Sequence, residues 1–149
     1  MTGEADDRPD LGAMLVRLGR LLLAVEQPIL EDHDVSMWGY AVLTALRDEP
    51  MRTQAALARS IGADKTRIIA ILDELQQRGL IEREADPADR RVRLLRLTAG
   101  GRTLQQAAQT AIRAAEATLL DRLTPADRRA FLRALQTLDP ASTDTGRHT

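Results

Sequence analysis

The sequence predicts a mainly α fold with one small β-hairpin, and three observations carry that expectation. Two short segments of helical periodicity are joined by nothing longer than Gly62-Ala63. An arginine-rich pair of strand patterns folds about Asp86-Pro87-Ala88-Asp89. Long aliphatic stripes at three- and four-residue steps flank this middle region on both sides.

The first stripe follows Asp10, a suitable N-cap, and runs through Leu11, Met14, Leu15, Leu18, Leu21, Leu22 and Val25. Pro28 interrupts it, so a kink or break is expected between Glu26 and Pro28. Ser36 caps a second helix, with Val35 and Tyr40 at staple spacing and Val42, Leu43 and Leu46 on its buried face. That helix should end between Asp48 and Pro50, and Met51-Arg52 has room for a very short strand.

Thr53 caps the third helix, which turns Ala56, Leu57 and Ile61 inward and closes at Gly62. Asp64 caps the fourth, which runs to Arg78 and closes at Gly79. Helices joined so tightly cross steeply, as in a helix-turn-helix. On the fourth helix Ile68, Ile71, Leu72 and Leu75 share one sector, and Thr66, Ala70, Asp73 and Gln77 lie opposite. Inserted N-terminus first into a major groove, it would offer Thr66, Arg67 and Ala70 to the bases. Lys65 and the free amides would meet phosphates.

Leu80 to Ala85 and Arg91 to Leu97 read as the two strands of the hairpin. Alternation holds for Val92 and Leu94, then slips to Leu95 and Leu97, so a bulge or early end to pairing is expected. Arg90 and Arg91 occupy the tip, with Arg93 and Arg96 behind them, a basic point suited to a narrow minor groove. Glu82 and Glu84 are expected to face Arg93 and Arg96 across the hairpin. Thr98 caps a long fifth helix from Ala99 with a stripe from Leu104 to Leu120. Thr124-Pro125 starts a sixth that turns Phe131, Leu132, Leu135 and Leu138 inward.

Helix, tight turn, helix, strand, basic turn and strand in this order make a winged helix-turn-helix. A single domain is expected over 1–149, with the winged module at 36–98 and dimerisation helices at 10–34 and 99–138. The tails at 1–9 and 140–149 are expected to be flexible. Helices this long in one thin layer leave more apolar face than one chain covers, which points to a homodimer.

Charge supports the same division. The net charge is -1, yet residues 51–102 hold 11 basic and 7 acidic groups, against 4 and 10 in residues 1–50. The middle is therefore the basic part, as a polyanion-binding module requires, although a solvated basic face would look alike. Aromatics make up 2%, so the core is aliphatic. The chain has no cysteine, which removes disulfides, thiolate metal sites and thiol-based sensing. Its two histidines, His33 and His148, lie far apart, and no metal is expected. No apolar run is long enough for a membrane span and no signal segment opens the chain, so a cytoplasmic protein is expected. Nothing resembles a nucleophile motif or a phosphate-cradling loop, so neither an enzyme nor a cofactor is expected.

Leu72-Asp73-Glu74-Leu75 with Arg78-Gly79-Leu80-Ile81, then Asp86-Pro87 with Asp89-Arg90-Arg91, then Leu97-Thr98 with Gly101, resemble the MarR family. These are dimeric winged-helix regulators of multiple-antibiotic-resistance type, and the likeness runs from Leu11 to Leu138. It implies that the first, fifth and sixth helices build a dimer interface. It also implies that Arg90 reaches the minor groove while Asp89 holds the wing. Asp73 is expected to orient an arginine, either Arg67 or Arg90. Family position makes His33, Met37 and Trp38 candidates for an effector pocket, with plain packing as the alternative. Gly100, where a charge is usual, and Gly39, inside a helix, depart from the pattern.

The expected function is a ligand-responsive DNA-binding transcription regulator, with repression as the expected sense. Its partners would be a pseudo-palindromic double-stranded DNA and a small lipophilic or aromatic anion. The competing reading is a winged-helix module that docks proteins and does not bind DNA.

Overall fold

The computed structural model describes residues 7–47, 49–51 and 53–140. Six helices and two strands follow the expected order. They are α1 (Leu11–Asp32), α2 (Met37–Ala45), α3 (Gln54–Ile61), α4 (Lys65–Gln77), β1 (Ile81–Ala85), β2 (Arg93–Leu97), α5 (Ala99–Leu120) and α6 (Pro125–Leu138). Most of the two expected tails, along with Asp48 and Arg52, lies outside the described residues.

Local chemistry sets the helix starts. Ser36 Oγ accepts the Gly39 N–H at 2.9 Å, Thr53 Oγ1 that of Ala56 at 2.9 Å, and Asp64 Oδ1 that of Arg67 at 2.8 Å. Thr124 caps α6 in the same way through the Asp127 N–H at 3.2 Å. Asp10 differs: it occupies the N-cap of α1, but its side chain makes no capping bond. Gly62 and Gly79 close α3 and α4 with φ of 71° and 70°, the left-handed region that residues with a Cβ resist.

Three expectations are corrected. α1 continues unbroken through Pro28 to Asp32. Pro28 and Ala24 both lie on the exposed face, where water can take the bond that the ring does not donate. α2 stops at Ala45 with Leu46 as its cap, before the region around Pro50. The hairpin carries no bulge and does not end early: the register runs evenly from Ile81 opposite Leu97 to Ala85 opposite Arg93. Leu95 and Leu97 are the buried members of β2, while Val92 and Leu94 are half-buried on the other parity. Met51 supplies the short third edge, exchanging bonds of 3.0 Å and 2.8 Å with Leu95.

The core sits between α2, α3, α4, the hairpin and the middle of α5. Val42, Leu43, Leu57, Ile68, Leu72, Leu75, Ile81, Leu95, Ala108 and Ile112 are all buried there. Thr98 ties the start of α5 to this module. Its Oγ1 accepts the Gly101 N–H at 3.0 Å and donates to the Gly79 carbonyl at 2.6 Å. Gly101 lies so close to Leu80 that any Cβ there would overlap the Leu80 carbonyl, so glycine is required.

The end helices look different. On α1 only Leu30 is buried, and Leu11, Leu15, Val16, Leu21, Leu23 and Val25 are exposed. α6 buries no residue: Phe131 is half-buried, but Leu132, Leu135 and Leu138 face solvent, contrary to their expected inward orientation. No described helix is long and apolar enough to cross a membrane.

Candidate nucleic-acid interface

The first two turns of α4 present Lys65, Thr66, Arg67 and Ala70 to solvent, because Ile68, Leu72 and Leu75 anchor the opposite side in the core. Lys65 projects separately from the first turn, while Thr66, Arg67 and Ala70 border one cleft and share one open face. Arg67 is not loose on it: its guanidinium lies over the Trp38 ring, with Cζ 5.5 Å from the centroid. Between the first turns of α2 and α4 lies a cleft of about 680 Å³, lined by Ser36, Trp38, Asp64, Thr66, Arg67 and Ala70 among others.

The loop at the hairpin tip is built by two aspartates. Asp86 is buried, at 4% exposure, and its Oδ1 accepts the Ala88 N–H at 2.9 Å. The backbone of the loop closes through Asp86 N–H to Val92 O at 2.9 Å and Val92 N–H to Asp89 O at 2.9 Å. Burial of Asp86 was not legible in a turn that reads as wholly exposed. Asp89 holds Arg91, accepting its backbone N–H at 3.1 Å and its guanidinium at 3.1 Å and 3.3 Å. Arg90 is exposed and makes no ion pair with any described residue.

Arg91 and Arg93 border a second cleft, about 390 Å³, with Thr53, Gln54 and Arg83. It runs between the start of α3 and the wing, so the arginines of the hairpin face the polar side chains of Thr53 and Gln54 across it. Thr53, Gln54 and Arg83 were missing from the sequence-based set, since a cap, a glutamine and a strand arginine announce nothing singly. Asp73 pairs with Arg83 at 3.7 Å, correcting the expectation that it orients Arg67 or Arg90. Of the hairpin acids, Glu84 meets Arg96 at 3.0 Å. Arg93 has no ion-pair partner among the described residues.

Among the clefts lined by described residues, none brings His33, Met37 and Trp38 together. His33 caps the end of α1, with Nδ1 2.8 Å from the Ile29 carbonyl. Met37 lines a cavity of about 360 Å³ against α1, with Leu23, Gln27, Leu30, Glu31 and Val35. Trp38, the next residue, faces the cleft between the first turns of α2 and α4. Ser36 borders both, so the first turn of α2 is the wall between them.

A titratable cluster sits where α1, α2 and α5 meet. Burial holds the Glu26 carboxyl above the ordinary glutamate range, and a hydrogen bond and the charge of Glu116 push it the same way. Burial likewise raises the Tyr40 phenol, opposed by a hydrogen bond with Thr44 and by the charge of Arg113. Among the described residues no group of three or more His, Cys, Asp or Glu could hold a metal ion.

A tightly joined pair of short helices followed by a two-stranded basic hairpin defines a winged helix-turn-helix protein. Residues 33–92, from the end of α1 through the wing tip, match the model of the MarR family. The HTH-type transcriptional repressor Rv2887 of Mycobacterium tuberculosis is 33% identical over 136 residues, covering 91% of this chain and 97% of that one. The chain belongs to the MarR family of transcriptional regulators. Rv2887 solved in complex with DNA superposes with a TM-score of 0.74 at 29% identity, covering 88% of this chain and 98% of that one. Its complex with salicylic acid gives 0.75 at 31% identity, covering 89% and 98%.

Proposed function

We propose that this chain works as a homodimeric, ligand-responsive repressor in the cytoplasm, binding a pseudo-palindromic operator and catalysing no reaction. The observation that carries this is the split of α4, whose buried side fixes it in the core while Lys65, Thr66, Arg67 and Ala70 remain exposed to solvent. Thr66, Arg67 and Ala70 meet base edges in the major groove, and Lys65 meets phosphate. Arg90 enters the flanking minor groove, while Arg91 and Arg93, with the start of α3, follow the backbone.

Leu132, Leu135 and Leu138 on α6, with the exposed leucines of α1, form the dimer surface together with α5. The dimer sets the spacing of the two recognition helices at about one turn of duplex. The effector is a small lipophilic or aromatic anion, for which the relative's salicylic acid complex supplies the precedent. The cavity between α1 and α2 is its site, and of His33, Met37 and Trp38 it is Met37 that lines it. Ligand there presses on the turn that also borders the DNA-side cleft, which changes how α4 is presented.

Selection of bound duplexes from a random pool tests the reading. A two-fold symmetric sequence should be enriched, and aromatic carboxylates should then release it. If no duplex is enriched and binding partners in a pull-down survive high salt, the chain is a protein-docking module instead.

A further inference from the structure

Trp38 is the only tryptophan in the chain, and it stands on α2, outside the helix-turn-helix pair. Its ring is half-buried and carries the guanidinium of Arg67 at 5.5 Å. Arg67 has no carboxylate partner among the described residues. The nearby cap, Asp64, spends its Oδ1 on the Arg67 backbone N–H at 2.8 Å rather than on the side chain.

The manner of holding matters. An ion pair would occupy the edge of the guanidinium, which is the part that pairs with guanine. Stacking uses the face and leaves the N–H donors at the edge free. An arginine already ordered by stacking loses less conformational freedom when it meets a base. Thr66 and Ala70 border the same cleft, so the held guanidinium lies beside the other two groups of the reading surface.

We propose that Trp38 is a positioning residue for sequence recognition: it holds Arg67 by its face so that the guanidinium edge is presented to the base pairs. The proposal rests on the assignment of Arg67 to base contact. Discrimination by α4 then depends on a side chain of α2.

Full-length protein, titrated with its selected operator and with a scrambled duplex, gives the test. Arg67→Ala should lower the ratio of the two affinities by roughly ten-fold. Trp38→Leu should lower it by roughly five-fold with an unchanged salt dependence, because no phosphate contact is lost. Trp38→Phe should stay within about two-fold of the parent, and the double variant Trp38→Leu/Arg67→Ala should be no worse than Arg67→Ala alone. Losses that multiply in the double variant, or a Trp38→Leu effect equal on both duplexes, would overturn the proposal. The lone tryptophan supplies a second readout without DNA: Arg67→Ala should change its emission, and an unchanged spectrum means that the stack does not exist in solution. If Arg67→Ala changes the emission but not the affinity ratio, base contact by Arg67 is wrong and the proposal falls with it. If Arg67→Ala lowers the ratio and Trp38→Leu does not, only the positioning role fails.

Discussion

Arg90 and Arg91 are adjacent and alike in charge, but the wing treats them differently. Asp89 grips Arg91 through its backbone N–H and its guanidinium, and it leaves Arg90 free to reach outward. The motif Asp86 to Arg91 marked the tip in the sequence, but which arginine the acid holds depends on loop geometry that no spacing reveals. Gln105 was equally hidden, because a glutamine among alanines on α5 reads as surface. It is fully buried, its Nε2 reaches Thr44 Oγ1 at 3.4 Å, and its Oε1 accepts no bond among the described residues. A buried acceptor of this kind costs about 1–3 kcal/mol, so Gln105→Met should leave stability unchanged or raise it in a denaturant titration. Gln105→Ala should lower it by about 2 kcal/mol through the cavity left behind.

At the scale of elements, the helix starts were readable because a cap acts within three residues. Ser36, Thr53, Asp64, Thr98 and Thr124 all accept the N–H that their position promised. Thr98 does more than cap, since its hydroxyl also reaches Gly79 and joins the ends of α4, β2 and α5. Thr98→Ala should therefore destabilise by about 2 kcal/mol, near the upper end for a lost cap, whereas Thr53→Ala should cost about 1 kcal/mol. Equal losses in thermal melts of the two variants would contradict the second role. The expected bulge or early end of pairing in the hairpin is absent for the opposite reason. β2 carries leucine on both parities, Leu94 as well as Leu95 and Leu97, so local alternation does not tell which side meets the core, and the fold buries Leu95 and Leu97.

For the whole molecule, the apolar periodicity of α1 and α6 was legible, but what covers it was not, because periodicity does not distinguish a core from a partner. Leu132→Glu with Leu135→Glu should convert a sedimenting dimer to monomer, and an unchanged mass would remove the proposed interface. The Glu26 carboxyl links α1 to α5 and to Tyr40, and its raised pKa gives the fold a pH dependence. Folding favours its protonated form. That contribution is complete below the ordinary carboxylate range and is lost as pH rises through the raised value. Glu26→Gln should therefore melt with the parent near pH 4 and above it at pH 7.5, and a difference independent of pH would contradict this origin.

If the wing and α4 of this fold grip duplex DNA, the salt dependence of operator binding by Arg90→Ala reports it. Binding should weaken, with the slope of log K against log salt reduced by about one phosphate equivalent, and the effect should be smaller for Arg91→Ala. Unchanged affinity and an unchanged slope in Arg90→Ala would contradict it.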